Sequence, residues 1–190
     1  MHWTHLNLAK SHSDLAGIGR AYGNIGNAYL ALKQPEEAIK FHKQELMISQ
    51  EVNDKSAQAL THGNLAVAFQ ELQLLDSAKE QYNRHLELAK ELNDVSIQEI
   101  ALANLGNYHS SKSEYEQAIN YYQQYFMLAK SCGDLEGEGK SCHLLGYSYY
   151  CIGDYQKAIE FYQRDLQLAK EMQDRQAMGR AYCNLGNLAC

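Results

Sequence analysis

Gly17, Gly19 and Gly23 have the close spacing that lets a backbone wrap around a phosphate. A dinucleotide-binding turn needs a preceding strand and sets its glycines ahead of a helix, so that free N–H groups reach the anion. Here Asp14 reads as the cap that starts a helix, which puts all three glycines inside it, and one period later the same positions hold Ala57, Ala59 and Gly63. Close helix packing accounts for them better than nucleotide binding. Spacing also argues against a metal: the eight histidines and five cysteines are scattered, with no Cys-x-x-Cys pair, and the adjacent Cys142 and His143 leave a helix on different faces. His2 and His5 are three apart but sit at the terminus. There is no Gly-x-Ser-x-Gly elbow and no His-Glu-x-x-His, and carboxylates such as Glu36, Glu37 and Glu80 fall on predicted exposed helix faces. No catalytic residue, metal or cofactor is expected, and the chain reads as a non-enzyme.

The remaining chemistry is that of binding. Asn24, Asn64, Asn104 and Asn184 recur forty residues apart, or a multiple of it, with Leu144 interrupting; three residues on are Asn27, Asn107 and Asn187, with Val67 and Tyr147 departing. A carboxamide both donates and accepts, so a ladder of them can pair with the backbone of an extended chain whatever its side chains. Each bond adds only about 0.5–1.5 kcal/mol, so several must act together. One turn earlier stand Arg20, Lys140 and Arg180, replaced by Leu60 and Ile100, and this basic column favours an acidic ligand that arginine can hold bidentately. Tyr147 and Tyr150 are candidate anchors in the same groove.

These residues are placed by a repeat. Asp14, Asp54, Asp94, Asp134 and Asp174 are forty apart, as are Ala38, Ala78, Ala118 and Ala158, and the columns Ile25/Leu65/Leu105/Leu145/Leu185 and Gly26/Ala66/Gly106/Gly146/Gly186 change only conservatively. A fixed period of this length marks a solenoid. Within each period, steps of three and four (Tyr22, Ile25, Gly26, Tyr29; Ala38, Ile39, His42, Leu46) predict two antiparallel helices, A and B. The aspartates are expected to cap A helices. Pro35 should open a B helix, and Ser113-x-x-Glu116 reads as a capping box at the equivalent place. The expected fold is all-α, a right-handed α-solenoid of antiparallel helix pairs. The expected division is one array over 1–190: the end of a preceding helix B at 1–14, repeats at 15–54, 55–94, 95–134 and 135–174, and a helix A at 175–190.

The run Gly-Asn-Ile-Gly-Asn-Ala-Tyr at 23–29, followed by Glu36-Glu37-Ala38-Ile39, resembles the tetratricopeptide repeat, as do Asn104-Leu105-Gly106-Asn107 with Tyr115-Glu116-Gln117-Ala118-Ile119, and Leu145-Gly146 with Asp154-Tyr155-Gln156-Lys157-Ala158-Ile159. The Leu-Gly-Asn core at forty-residue spacing is similar to that of the LGN/Pins spindle-orientation adaptors and of very large multi-repeat scaffolds. That resemblance implies that Arg20, Asn24, Asn27, Arg180, Asn184 and Asn187 hold extended acidic peptides on the concave face. It also implies a cytoskeletal, centrosomal or spindle setting. The co-chaperone subclass uses a lysine where this chain has Gly23, Gly63, Ala103, His143 and Cys183, so its carboxylate clamp is not expected.

Composition bounds the alternatives. The chain has 190 residues, 45% of them apolar, and one proline, which suits helices and excludes collagenous or disordered classes. A net charge of −6 disfavours a phosphate-backbone binder, so nucleic acid is not an expected partner. No apolar run reaches the roughly 20 residues that span a bilayer, and the start lacks a secretory pattern, so a cytoplasmic, reducing location is expected without membrane insertion. The sequence begins and ends within a repeat, with Leu185, Leu188, Ala189 and Cys190 on a helix without its partner, and so reads as a stretch of a longer array. A spacer that self-associates through uncapped ends and a peptide-sensing regulator are the alternative functions.

Overall fold

The computed structural model describes residues 2–188, with the side chains of all of these except 2, 3 and 5. Met1, Ala189 and Cys190, and the side chains of His2 and His5, lie outside the described residues. Ten α-helices are described: α1 (His2–Ser11), α2 (Leu15–Ala31), α3 (Pro35–Glu51), α4 (Lys55–Glu71), α5 (Leu75–Leu92), α6 (Val95–Ser111), α7 (Tyr115–Cys132), α8 (Leu135–Cys151), α9 (Tyr155–Glu171) and α10 (Arg175–Leu188). The chain forms two compact units, one ending at Ala101 and the other starting at Leu102. In the first, α1 packs on α2, α2 on α3, α3 on α4 and α4 on α5; in the second, α7 packs on α8, α8 on α9 and α9 on α10. Sequential antiparallel packing of this kind makes the architecture an all-α solenoid type.

A single turn design recurs every twenty residues. Ser13, Lys33, Asn53, Gln73, Asn93, Ser113 and Gln173, with Gly133 and Gly153, all have positive φ. The N–H of Asp14 donates to Ala9 O at 3.0 Å and that of Ser13 to Lys10 O at 3.2 Å, and the same pair of bonds ends α2 at Gln34 and Lys33. This is the Schellman ending, which satisfies carbonyls left open at a helix C-terminus. The residue after the left-handed one then begins the next helix. Where that residue is aspartate its carboxylate caps: Asp14 Oδ1 accepts from Gly17 N–H at 2.9 Å, Asp54 from Ala57 at 2.9 Å, Asp94 from Ile97 at 3.0 Å and Asp174 from Ala177 at 3.0 Å. Asp134 departs, occupying the cap position of α8 without a side-chain bond. The capping box at Ser113 is also corrected. Ser113 is the left-handed residue (φ 60°) that closes α6, so Glu114 takes the cap position of α7 and makes no side-chain cap bond there. Pro35 stands at the first turn of α3.

Between paired helices a small residue faces a ring. A Cβ on Gly26 would lie 2.6 Å from His42 Cε1, one on Gly106 at van der Waals overlap with Tyr122, and one on Gly146 2.6 Å from Tyr162. Ala38, Ala78, Ala118 and Ala158 are fully buried. In the first unit Leu6, Ala21 and Ile25 form one apolar cluster and Ala59, Leu88, Ala89 and Ile97 another. In the second, Leu145, Tyr149 and Tyr162 pack with Ala118 and Ala158. Gly17, Gly19 and Gly23 are buried within α2, where a Cβ on Gly19 would approach Ile48 to 3.2 Å.

Candidate functional site

The helical period puts Arg20, Asn24 and Asn27 on one face of α2, and all three are exposed; Asn64 on α4 is half-buried. The carboxamides of Asn24, Asn27 and Asn64 make no hydrogen bond among the described residues. Arg20 is already engaged, 3.8 Å from Asp14. Beside it a cavity of about 80 Å³ is lined by Arg20 itself with Gly19, Glu45, Ser49 and Asp54 among others. Glu45 also bonds His42 Nδ1 at 3.0 Å, which anchors its carboxylate. In the basic column, Leu60 and Ile100 are aliphatic and 42% and 47% exposed.

The second unit carries Asn104 and Asn107 on α6, Lys140, Tyr147 and Tyr150 on α8, and Arg180, Asn184 and Asn187 on α10. Asn107 accepts from the Tyr122 hydroxyl at 2.7 Å, while Asn104 and Asn187 make no side-chain bond among the described residues. Lys140 is paired with Glu136 at 2.6 Å; Arg180 makes no ion pair among the described residues. Tyr147, Tyr150, Asn184 and Asn187 come together with Tyr162 around a cavity of about 150 Å³. Tyr147 meets Tyr115 edge to face, centroids 6.4 Å apart, and Tyr150 leans on Tyr155 at 5.8 Å.

Under this face lies a polar group that the sequence reading passed over. Asp165 on α9 is buried, its Oδ2 has no hydrogen-bond partner among the described residues, and His143 Nδ1 stands 4.0 Å away. His143 bonds Asn184 at 3.2 Å, linking the floor to the exposed amides. Burial pushes the Asp165 carboxyl up to about 6 although Arg180 pulls it down, and burial together with Arg180 holds the His143 imidazole below its usual value. Farther in, Arg164 donates from Nε and Nη2 to the buried Glu138 Oε1 at 2.8 and 2.7 Å. Burial raises the Cys142 thiol to about 12, which keeps it protonated and inert. The missed signal was the column Glu45, His85, Tyr125, Asp165, whose polarity varies while the next column, Leu46, Leu86, Phe126 and Leu166, stays apolar. Among the described residues no group of three or more His, Cys, Asp or Glu is arranged to hold a metal, and no helix is long and apolar enough to cross a membrane.

A family model for the tetratricopeptide repeat matches residues 17–91, and a second model of that repeat matches 101–135 and 141–176. No curated protein matches the sequence significantly. Similar solved structures include aspartyl phosphate phosphatase F from Bacillus subtilis, 18% identical over 89% of this chain and 44% of that one, with a TM-score of 0.83. A signal transduction ATPase with numerous domains and a tetratricopeptide repeat sensor, from Pyrococcus horikoshii, is 22% identical over 95% and 28%, with a TM-score of 0.83. A Rap protein complexed with competence and sporulation factor is 19% identical over 88% and 47%, with a TM-score of 0.80. The chain spans less than half the length of each of these three, and at such identity the likeness is one of fold. With both repeat models together covering well over half its length, the chain belongs to the tetratricopeptide repeat family.

Proposed function

We propose that this chain is a non-catalytic scaffold that holds extended peptide segments of partner proteins against its A helices. The observation that carries this is the set of exposed or half-exposed carboxamides at Asn24, Asn27, Asn64, Asn104 and Asn187, which no other side chain engages among the described residues. They offer donors and acceptors in pairs at repeat spacing, as an extended backbone requires. A Rap protein of similar fold is known in complex with competence and sporulation factor, which supports partner holding as a use of such a fold. The basic column sets the ligand's sign: Arg20 and Lys140 each have a carboxylate beside them, so Arg180 is the residue left to bind an acidic side chain. The Arg20, Asn24, Asn27 and Arg180, Asn184, Asn187 triplets support a cytoskeletal or spindle adaptor of the Leu-Gly-Asn type, working in the cytoplasm. The test is capture of partner proteins from a lysate on wild type and on Asn24→Ala/Asn104→Ala/Asn107→Ala, followed by peptide mapping. Loss of capture with unchanged helicity is expected; equal capture by the triple variant refutes the assignment.

A further inference from the structure

One recess in the second unit goes beyond what backbone-reading amides need. The cavity of about 150 Å³ is smaller than the roughly 300 Å³ of a small-molecule pocket and suits one side chain. Three phenol rings and two carboxamides line it. Tyr115 and Tyr155 brace Tyr147 and Tyr150, and Tyr162 is buried, so the rings are positioned before any ligand arrives.

Phenol faces are electronegative and attract cations. Elsewhere this protein covers such faces with its own lysines: Lys112 over Tyr108 at 5.4 Å, Lys157 over Tyr149 at 5.0 Å and Lys170 over Tyr182 at 5.7 Å. Among the described residues no cation lies over Tyr147, Tyr150 or Tyr162. Burial pushes the Tyr162 phenol up to about 12, so near neutral pH it stays an uncharged ring. The Arg180 charge acts on Asp165 and His143.

We infer that the cavity bounded by Tyr147, Tyr150, Tyr162, Asn184 and Asn187 takes an arginine side chain of the bound segment. A guanidinium stacks on phenol rings and donates from several N–H groups to carboxamide oxygens, which a lysine ammonium does with less geometric match. The inference rests on the peptide reading of this face and adds to it: the segment carries both signs, a carboxylate for Arg180 and a cation for the cavity.

The test uses the full ¹⁵N-labelled chain titrated with N-acetyl-arginine amide, with its neutral isostere N-acetyl-citrulline amide, and with N-acetyl-glutamate amide. Arginine is expected to give saturable shifts at the amides of residues 147, 150, 184 and 187, citrulline to bind about fivefold more weakly and glutamate not to saturate. Tyr150→Leu replaces a side chain that is 43% exposed and so leaves the core alone; it should weaken the arginine response about fivefold, whereas Tyr182→Leu should not. Citrulline equal to arginine, a stronger response to glutamate, or no saturable shift at those four amides overturns the inference. Selection from a random-peptide display library separates the two readings. Captured peptides with no arginine enrichment that Tyr150→Leu removes refute the cavity assignment alone. Failure to capture any peptide that the triple asparagine variant releases refutes the peptide surface itself.

Discussion

The unit ending at Ala101 and the unit starting at Leu102 share one repeat but fill their floors with different chemistry. On the B helices the first buries imidazoles at His42 and His85 and one phenol at Tyr82; the second buries phenols at Tyr122, Tyr125 and Tyr162 and a carboxyl at Asp165. Of the fourteen tyrosines, only Tyr22, Tyr29 and Tyr82 precede residue 102. The spacing that must be kept is therefore small against ring, with glycine at 26, 106 and 146 admitting whichever ring stands opposite. What the ring or its neighbour can ionise to is left free, and there the units diverge.

Arginine at one column of the B helices gives the sharpest contrast. Arg84 in the first unit meets Glu87 at 3.1 Å with side chains 49% and 63% exposed, whereas Arg164 in the second reaches Glu138, whose side chain is 5% exposed. Removing the partner of a buried carboxylate leaves an uncompensated charge, so Arg164→Met should cost about 3 kcal/mol. Arg84→Met should cost less than about 1 kcal/mol, because water screens that pair. Urea unfolding of both variants measures the difference; equal losses would break the comparison.

The buried titrating groups predict pH responses of opposite sign. His85 has neither ring nitrogen hydrogen-bonded among the described residues, and burial, with the nearby His62, lowers it from 6.5 to about 4. Between these values the unfolded chain binds the extra proton, so stability is full above pH 6.5 and falls as pH drops toward 4. Asp165 moves the other way, from 3.8 to about 6 through burial, with Arg180 and Asp174 acting in opposite senses on it. There the folded state holds the extra proton, so stability is full below pH 3.8 and falls as pH rises through 6. Each swing is at most about 3 kcal/mol. Melting temperature against pH should lose its acid-side slope in His85→Phe and gain acid-side slope in Asp165→Asn, which removes the opposing contribution. Identical pH profiles for the two variants would contradict the assignment.

Much of the scaffold was legible because it rests on short-range patterns. The aspartates at 14, 54, 94 and 174 cap helices as their place before an apolar run suggests, and Pro35 sits where its missing N–H is harmless. Ser113 misled because two rules compete at one residue. Serine and a glutamate three on fit a capping box, but the Schellman ending of α6 needs a left-handed residue there and wins. The Glu138–Arg164 pair was hidden because charged residues on a helix read as solvated; only the packing of α8 on α9 shows that these face each other. The division at Ala101 leaves no mark on a forty-residue period, which runs through α6 unbroken. For the candidate surface, spacing could nominate Tyr147, Tyr150, Asn184 and Asn187, but their shared cavity depends on Tyr162 from the paired helix.

The turns supply the smallest test. All five left-handed turn residues of the first unit carry side chains (Ser13, Lys33, Asn53, Gln73 and Asn93), while the second uses glycine at two of its four, Gly133 and Gly153. A Cβ in the left-handed region crowds the following carbonyl, a penalty that glycine escapes and asparagine partly offsets by local hydrogen bonding. Gln73→Gly should therefore stabilise the protein by about 1 kcal/mol, and Asn93→Gly by a few tenths. In the second unit the reverse change, Gly153→Gln, should cost about as much as Gln73→Gly gains, since a Cβ there meets open space and only the backbone objects. Thermal melts of the three variants decide it. If Gln73→Gly lowers the melting temperature, the entropy of a freer unfolded chain outweighs the relief of strain, and the two units' turns differ in composition without differing in stability.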